Sequence, residues 1–394
     1  MDPFTSFFRL PKLRVLKSYN GPDDSITVEA ESTSTSSVCG NCASLCHKIH
    51  DYQKSTVRET DHVKKKVKLK IKKKRYRCEN CKKVHTEYIP GISYRAKTTE
   101  RFRRWVFEEC LRASSLSLAA KKCRVSIWFV FNYFHQMLRV KLKEFNNPWP
   151  KYLGIDEHSF RRNKQTGEVE FVTVFVDHVN KRIRKIVLGR DRLTLIEAIK
   201  NISGAQHVKA VSIDLSGGYR EFVKEAFPKA LIVADKFHVM RLFGKVITRA
   251  RIDIFGDKRK TELFQLLKTS RKKLGKKGKE KLDALLLPHP KLREAYLLKV
   301  KMYEIYRKST ISLAQLDYSR MLEGMKLSNN PYVHTLRLTL YSWKEEILNY
   351  FKVKITNARV EAFNNICKKI KRKAHGYRNV ENYANRCLGE TLLL

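Results

Sequence analysis

Long apolar runs are missing from this chain of 394 residues: nothing approaches the ~18 uninterrupted apolar residues of a membrane-spanning helix. The opening MDPFTSFFRLPKLRVLK also lacks the apolar core of a secretory signal, so a cytoplasmic or nucleoid-associated protein with no membrane partner is expected. The sequence shows no internal repeat. Acidic residues are scarce: 39 Asp+Glu stand against 82 Lys+Arg, for a formal net charge of +43. A field this positive favours polyanions and fast, salt-sensitive association, with nucleic acid ahead of a membrane surface.

The nine cysteines do not form a disulfide-like framework. Four make two CxxC pairs, and Cys46, Cys110, Cys123, Cys367 and Cys387 are scattered, a pattern of bound metal plus reduced thiols. At 42% hydrophobic, the chain can bury one sizeable core and one or two small domains.

Composition shifts suggest the boundaries. Residues 1–35 read as an N-terminal arm that ends in a polar linker, ESTSTSS (Glu31 to Ser37), and 36–92 as a metal-binding finger. Residues 93–147 turn helical, and NNPWP (Asn146 to Pro150) closes them. From 148 to 241, KYLGID, VEFVTVFVDH and KRIRKIVLG read as an antiparallel meander. A helix, a strand, a helix and a strand follow, giving the order β-β-β-α-β-α-β with a parallel pairing in its second half. Residues 242–330 carry only helical patterns, broken by RKKLGKKGKEK and LPHP, and read as a helical insertion. Residues 331–394 complete the chain with helices. The fold class expected is multidomain, α+β and α/β.

Cys39, Cys42, Cys78 and Cys81 are the expected ligands of a structural zinc ion, two knuckles bridged by a hairpin that let a short segment fold around a minimal core. Cys46, His47, His50 and His85 are nearby substitutes. Between the knuckles, Val67, Leu69 and Ile71 alternate with Lys68, Lys70 and Lys72, so a strand would array lysines on one face. Lys68, Lys70, Lys72, Lys73 and Arg75 are therefore candidate contacts to DNA phosphates. SLSLAAKKCRVSIWFVFNYF fits a helix-turn-helix in which Ser126 caps a second helix bearing Trp128, and both are candidate DNA contacts. Its turn lacks the usual glycine.

In the strand order above, the first and fourth strands are neighbours, and Asp156 and Asp214 close them about one strand spacing apart. Carboxylates that close repel unless a cation bridges them. A third acid, Glu361, sits on a helix whose apolar stripe is Val360, Phe363, Cys367 and Ile370, with Glu361, Asn364, Lys368 and Lys371 on a neighbouring polar face. Lys368, Lys371 and Arg372 are candidate DNA contacts along it. Oxygen-only ligands suit Mg2+ or Mn2+, and two such ions can drive phosphoryl displacement without a covalent enzyme intermediate. Asp235 rivals Asp214, and Glu157, Glu345 and Glu346 are weaker rivals.

These motifs, taken in order, resemble the ISL-three family of bacterial insertion-sequence transposases. The resemblance rests on CxxC with HDY (His50 to Tyr52), RYRCENC followed by HTEYIPGI, GIDEHSF, SIDLSGGY, VADKFHV and NARVEAFNNICKKIKRKAHGYRN. It implies a zinc finger and a ribonuclease H-like DDE domain in which Asp156, Asp214 and Glu361 are catalytic, with a helical insertion between Asp235 and Glu361. It also implies cutting at terminal inverted repeats and joining of the element's ends to target DNA. The lysine run is denser than the family pattern. Holding two ends together implies a homodimer or higher oligomer on DNA. A catalytically inactive DNA-binding regulator and a structure-selective nuclease of the same fold are the competing readings.

Overall fold

The computed structural model describes residues 11–21, 23–143, 148–163, 165–256, 262–269 and 271–392. The chain divides into two compact units, residues 1–137 and 138–394.

The first unit is built on β1 (Leu13–Gly21), β2 (Ser25–Ser32), β5 (Ile49–His62), β6 (Lys65–Arg77) and β7 (Val84–Thr86), with a small β3 (Ser37–Val38) and β4 (Leu45–Cys46) pair. The sheet order is β1-β2-β6-β5, and β7 also pairs with β6. Strand alternation selects the core: Val67, Leu69 and Ile71 are buried with Leu13, Val15, Val28, Val57, Ile89 and Ile92.

The segment 1–35 is therefore not a separate arm. Its first ten residues lie outside the described ones, but Leu13–Ser32 supplies two strands, and β2 runs parallel to β6 from Ser25 opposite Lys66 to Glu31 opposite Lys72. Nor is ESTSTSS a free linker. Ser32 Oγ donates to Glu87 (2.5 Å) and the Ser34 carbonyl accepts from Tyr76 Oη (3.0 Å), so hydroxyl-rich sequence is held against β6 by its polar groups.

Three helices follow: α1 (Glu100–Arg112), α2 (Leu116–Cys123) and α3 (Ile127–Lys143). Thr99, Ser115 and Ser126 accept from Phe102 N, Leu118 N and Phe129 N, so each helix starts on a hydroxyl cap. Between α2 and α3 the chain reverses through Arg124 at φ 53°, a left-handed position taken here without glycine.

The second unit holds the mixed sheet β10-β9-β8-β11-β12, formed by β8 (Tyr152–Arg162), β9 (Val169–Asp177), β10 (Arg182–Leu188), β11 (Ala210–Ile213) and β12 (Leu231–Ala234). The first three strands are antiparallel, and β8, β11 and β12 are parallel, as the sequence pattern predicts. β8 continues well past Asp156. On one face Leu153, Ile155, Phe175, Val211 and Ile213 pack with α4 (Arg192–Ile199), α5 (Gly217–Ala226) and α6 (Lys236–Phe255). On the other, Phe160, Val172, Val174, Val176, Ile183 and Ile186 pack with α13 (Ala358–Lys373) and α14 (Val380–Leu392).

The helices between are α7 (Glu262–Lys268), α8 (Lys276–Leu286), α9 (Pro290–Ile305), α10 (Ile311–Gly324), α11 (Pro331–Ser342) and α12 (Lys344–Val353). Their apolar faces share one core with the sheet, including Tyr296, Tyr318, Leu340 and Phe351. Two sequence boundaries shift. The expected edge at 241/242 cuts through α6, and RKKLGKKGKEK contains the start of α8 rather than connection alone.

The seating of α13 depends on Gly154. A Cβ there would lie 2.3 Å from Val360 Cγ2 and 2.6 Å from His178 Nε2, so only glycine lets the helix lie this close to β8. Gly154→Ala is expected to destabilise the second unit by about 1–3 kcal/mol as α13 is pushed outward, read as a lower midpoint in denaturant. An unchanged midpoint would show that α13 does not bear on the strand.

Candidate active site and zinc centre

In the finger, the Cys39–Cys81 sulfurs are 3.6 Å apart and the Cys42–Cys78 sulfurs 3.5 Å. All four lie within 4.8 Å of one another. A tetrahedron with Zn–S of ~2.3 Å places sulfurs ~3.8 Å apart, so the set fits zinc. The two knuckles share one turn. Cys39 N donates to Ser44 O and Cys78 N to Lys83 O, and the residue after each second cysteine, Ala43 or Lys82, is left-handed at φ 57° and 58°.

Among the described residues these cysteines are the one group of three or more His, Cys, Asp or Glu side chains close enough to share a metal ion. Cys46 turns its thiol to Ser44 O, and His85 stacks on Tyr76. His50 lies beside Asp51, and His47 is exposed outside the cluster. The knuckles enclose β6, whose cations divide by strand parity. Lys68, Lys70 and Lys72 share one face, where Lys72 lies over Tyr52 (4.3 Å) and Lys70 donates to Tyr19 Oη (3.0 Å). Lys73 and Arg75 point the other way, Lys73 half-buried and Arg75 paired with Asp51 (2.9 Å). The expected five-residue basic set is thus three residues on one face and two on the other. On α3, Ser126 is the cap and Trp128 is 75% exposed.

Two of the three expected carboxylates lie where α13 crosses the second sheet. β11 and β8 pair up to Ser212 opposite Gly154, so two residues further along each strand Asp214 falls beside Asp156. Asp156 Oδ1 accepts from Glu157 N (2.8 Å) and Oδ2 from Asn364 Nδ2 (2.8 Å). Burial raises its pKa. Asp214 Oδ1 is buried with no hydrogen-bond partner among the described residues, and burial, reinforced by the charge of Glu157, pushes its carboxyl up to about 6. An orphaned carboxylate oxygen beside a second acid is a donor set that fits a hard cation.

Asp235 is differently placed. Its Oδ2 accepts from His238 N (3.2 Å) and Nδ1 (3.0 Å), and its Oδ1 from Asn357 N (2.9 Å). Burial acts to raise its pKa, but the His238 and Asn357 hydrogen bonds outweigh burial and hold the carboxyl below its ordinary value. Of the other rivals, Glu157 stays close: its side chain lies beside Arg190 (3.7 Å), its Oε2 is buried with no hydrogen-bond partner among the described residues, and its charge acts on both Asp156 and Asp214. Glu346 pairs with Arg220 (2.9 Å), and Glu345 is exposed on α12.

The helix that carries Glu361 is anchored at three levels. Asn357 Nδ2 donates to Ile155 O (3.0 Å), and its Oδ1 accepts from Ser212 Oγ. Asn364 reaches Asp156, and Lys371 Nζ donates to Ser159 O (2.6 Å) and Phe160 O (3.0 Å). The polar face expected on this helix is therefore split. Asn364 is buried in the seam with Val360 and Cys367, Lys371 is taken up by β8, and Glu361, Lys368 and Arg372 are exposed. Glu361 makes no three-acid cluster with Asp156 and Asp214 among the described residues. Asn357 and His158 were not among the expected site residues. A buried asparagine leaves no periodic signal, and only its partners reveal it.

A family profile described as a transposase matches residues 153–387, and one described as the zinc-finger of transposase IS204/IS1001/IS1096/IS1165 matches residues 35–81. The chain belongs to the ISL3 family of DDE transposases, enzymes of insertion sequences. It is similar to the transposase for insertion sequence element IS1001 of Bordetella parapertussis, 24% identical over 373 residues, 92% of this chain and 90% of that protein.

Two measurements test the site. Asp214→Asn removes a buried charge, so it is expected to stabilise the protein by about 2 kcal/mol at pH 7.5 when zinc is the only metal supplied. Because the folded-state pKa lies above the ordinary 3.8, ionised Asp214 costs stability above about pH 6, and the gain from Asn fades as the pH falls from there towards 4. A constant gain across that range would contradict the burial of the charge. For the finger, elemental analysis is expected to give one zinc per chain, and less than half of that in Cys78→Ser. Full retention in the variant would exclude the four-thiolate centre.

Proposed function

We propose that this transposase binds the terminal inverted repeats of its element and cuts and joins DNA with Asp156, Asp214 and Glu361 as the ligands of Mg2+ or Mn2+. What supports this reading is the strand register that sets Asp156 and Asp214 on neighbouring strands, with Asp214 Oδ1 buried and unpartnered among the described residues. Asp235, with its oxygens already engaged, is left to structure. We read the five-stranded sheet as ribonuclease H-like.

Two divalent cations in such a site would activate a water or 3′-hydroxyl and stabilise the leaving oxygen of the phosphodiester. The protein's part is to place the ligands. β8 and β11 fix two carboxylates rigidly, and α13 carries Glu361, whose exposed side chain is free to swing towards them. Lys68, Lys70 and Lys72, with Tyr19 and Tyr52 on the same face of the finger sheet, suit phosphate contact with aromatic support. α2 and α3 are read as a helix-turn-helix with Ser126 and Trp128 at its DNA-facing end. Lys368 and Arg372 share the exposed flank of α13 with Glu361 and are available to DNA there, whereas Lys371, Lys73 and Arg75 already have protein partners or partial burial. Two ends handled together require a dimer or larger assembly on DNA.

The test is cleavage and joining of a labelled duplex carrying the element's ends, with Mg2+, for wild type, Asp156→Ala, Asp214→Ala and Glu361→Ala. Losses of at least 1,000-fold in both reactions, with end binding retained and at least two protomers per paired-end complex by mass, are expected. Activity that survives Asp156→Ala would overturn the site. Binding without cutting by the wild type would favour the regulator, and cutting at any branched DNA without joining would favour the nuclease.

A further inference from the structure

A buried hydrogen-bonded file leads away from Asp156 into the C-terminal helices. Asn364 Nδ2 donates to Asp156 Oδ2 (2.8 Å), Asn364 Oδ1 meets His158 Nδ1 (2.9 Å), and His158 Nε2 meets Tyr383 Oη (2.7 Å). Asn364, His158 and Tyr383 are 2%, 3% and 0% exposed.

The donor directions follow one from another. A carboxylate only accepts, so Asn364 must turn its NH2 towards Asp156 and its oxygen towards His158. An oxygen only accepts, so His158 Nδ1 must carry the proton that Asn364 receives. If Asn364 flipped, its oxygen would face the carboxylate at 2.8 Å and its NH2 would face an N–H. The carboxylate therefore sets which way the amide points, and an imidazole protonated on Nδ1 is the tautomer that locks it there. Asp156, His158 and Phe160 lie on the α13 face of β8, so strand parity delivers the carboxylate and its orienting histidine together. The Tyr383 hydroxyl, packed edge-on to the His158 ring, fixes the ring from α14.

We propose that His158 is a positioning residue: through Asn364, with Tyr383 behind it, it holds the Asp156 carboxylate in the orientation that a divalent cation requires. This rests on the reading of Asp156 as a metal ligand. Asp156 then keeps one hydrogen bond on each oxygen and a lone pair on each free for metal. Outer partners of this kind change metal affinity or activity by about 10- to 100-fold when removed.

The test uses the full-length, zinc-loaded protein and Mn2+ alone as the probe, with binding followed by electron paramagnetic resonance and, separately, Mn2+-dependent cleavage of end DNA. His158→Asn places an amide donor where Nδ1 stands, whereas His158→Gln places its amide near Nε2. The expected result is near-normal Mn2+ affinity in His158→Asn and affinity about 10- to 100-fold weaker in His158→Gln and Asn364→Leu, with Tyr383→Phe between. The metal concentration needed for half-maximal cleavage should move in parallel, with maximal rate at saturating Mn2+ recovered more fully in His158→Asn than in His158→Gln. Equal affinity in the Asn and Gln variants, with circular dichroism like the wild type, would overturn the proposal, as would wild-type affinity in Asn364→Leu. Mn2+ binding that survives Asp156→Ala unchanged would instead overturn the assignment of Asp156, an outcome distinguishable from the others because it does not involve His158.

Discussion

The second unit depends on one seam, the contact of α13 with β8. From Gly154 to Phe160 the strand extends about 20 Å, and from Val360 to Lys371 the helix rises about 17 Å, so the two can run alongside each other for their whole contact. Val360 fills the place that a side chain at Gly154 would take, Asn364 meets Asp156, and Lys371 holds the carbonyls beyond. The seam is mostly apolar, with Cys367 and Ile370 among Phe160, Val174 and Ile186, and its few polar contacts are paired. Apolar burial supplies adhesion, and the paired polar groups fix the register, because a slip by one turn would leave Asn364 and Asn357 buried without partners. Asp156 is fixed to the strand, whereas Glu361 belongs to whatever position the seam gives its helix.

Much of this was legible. Alternation marked β6 and its lysine face, the apolar runs marked the five strands of the mixed sheet, and paired CxxC motifs marked the sulfur cluster. Legibility failed where a polar residue is buried. Asn357 serves Ile155 and Ser212, Asn364 serves Asp156 and His158, and none of these partners is near in sequence. The same cause hid β2, whose Ser25, Thr27 and Ser32 resemble a solvated link but are buried. Strand parity also corrected the basic set, because a run of cations in sequence cannot all share one face of a strand. The candidate acids were legible as carboxylates that follow apolar strands, Asp214 and Asp235 alike, but how their oxygens are engaged was not: Asp235 is hydrogen-bonded on both, and Asp214 Oδ1 has no partner among the described residues.

The finger and the carboxylate sheet solve related problems by different means. The finger sheet has a small apolar core, and the four-thiolate cluster holds the knuckles next to it; each knuckle accepts a left-handed non-glycine residue to complete its turn. Such positions carry a conformational cost of about 1 kcal/mol or more apiece, which metal ligation readily offsets. The second unit has a large core shared by the sheet and the intervening helices, and spends polar interactions on placement rather than cohesion.

Asp235 also bears on how the chain is assembled. One of its oxygens meets the first turn of α6 and the other meets the backbone N–H at the start of α13. The long run of helices that begins with α6 and ends with α12 therefore leaves the sheet and returns to it against the two oxygens of a single side chain. The start of α6 and the start of α13 are held by one carboxylate, however long the path between them. A segment tethered this way can gain or lose helices without changing the point at which α13 re-enters, much as a branch can be regrafted on an uncut trunk. The spacing between the sheet's acids and α13 is thereby insulated from the length of what lies between them.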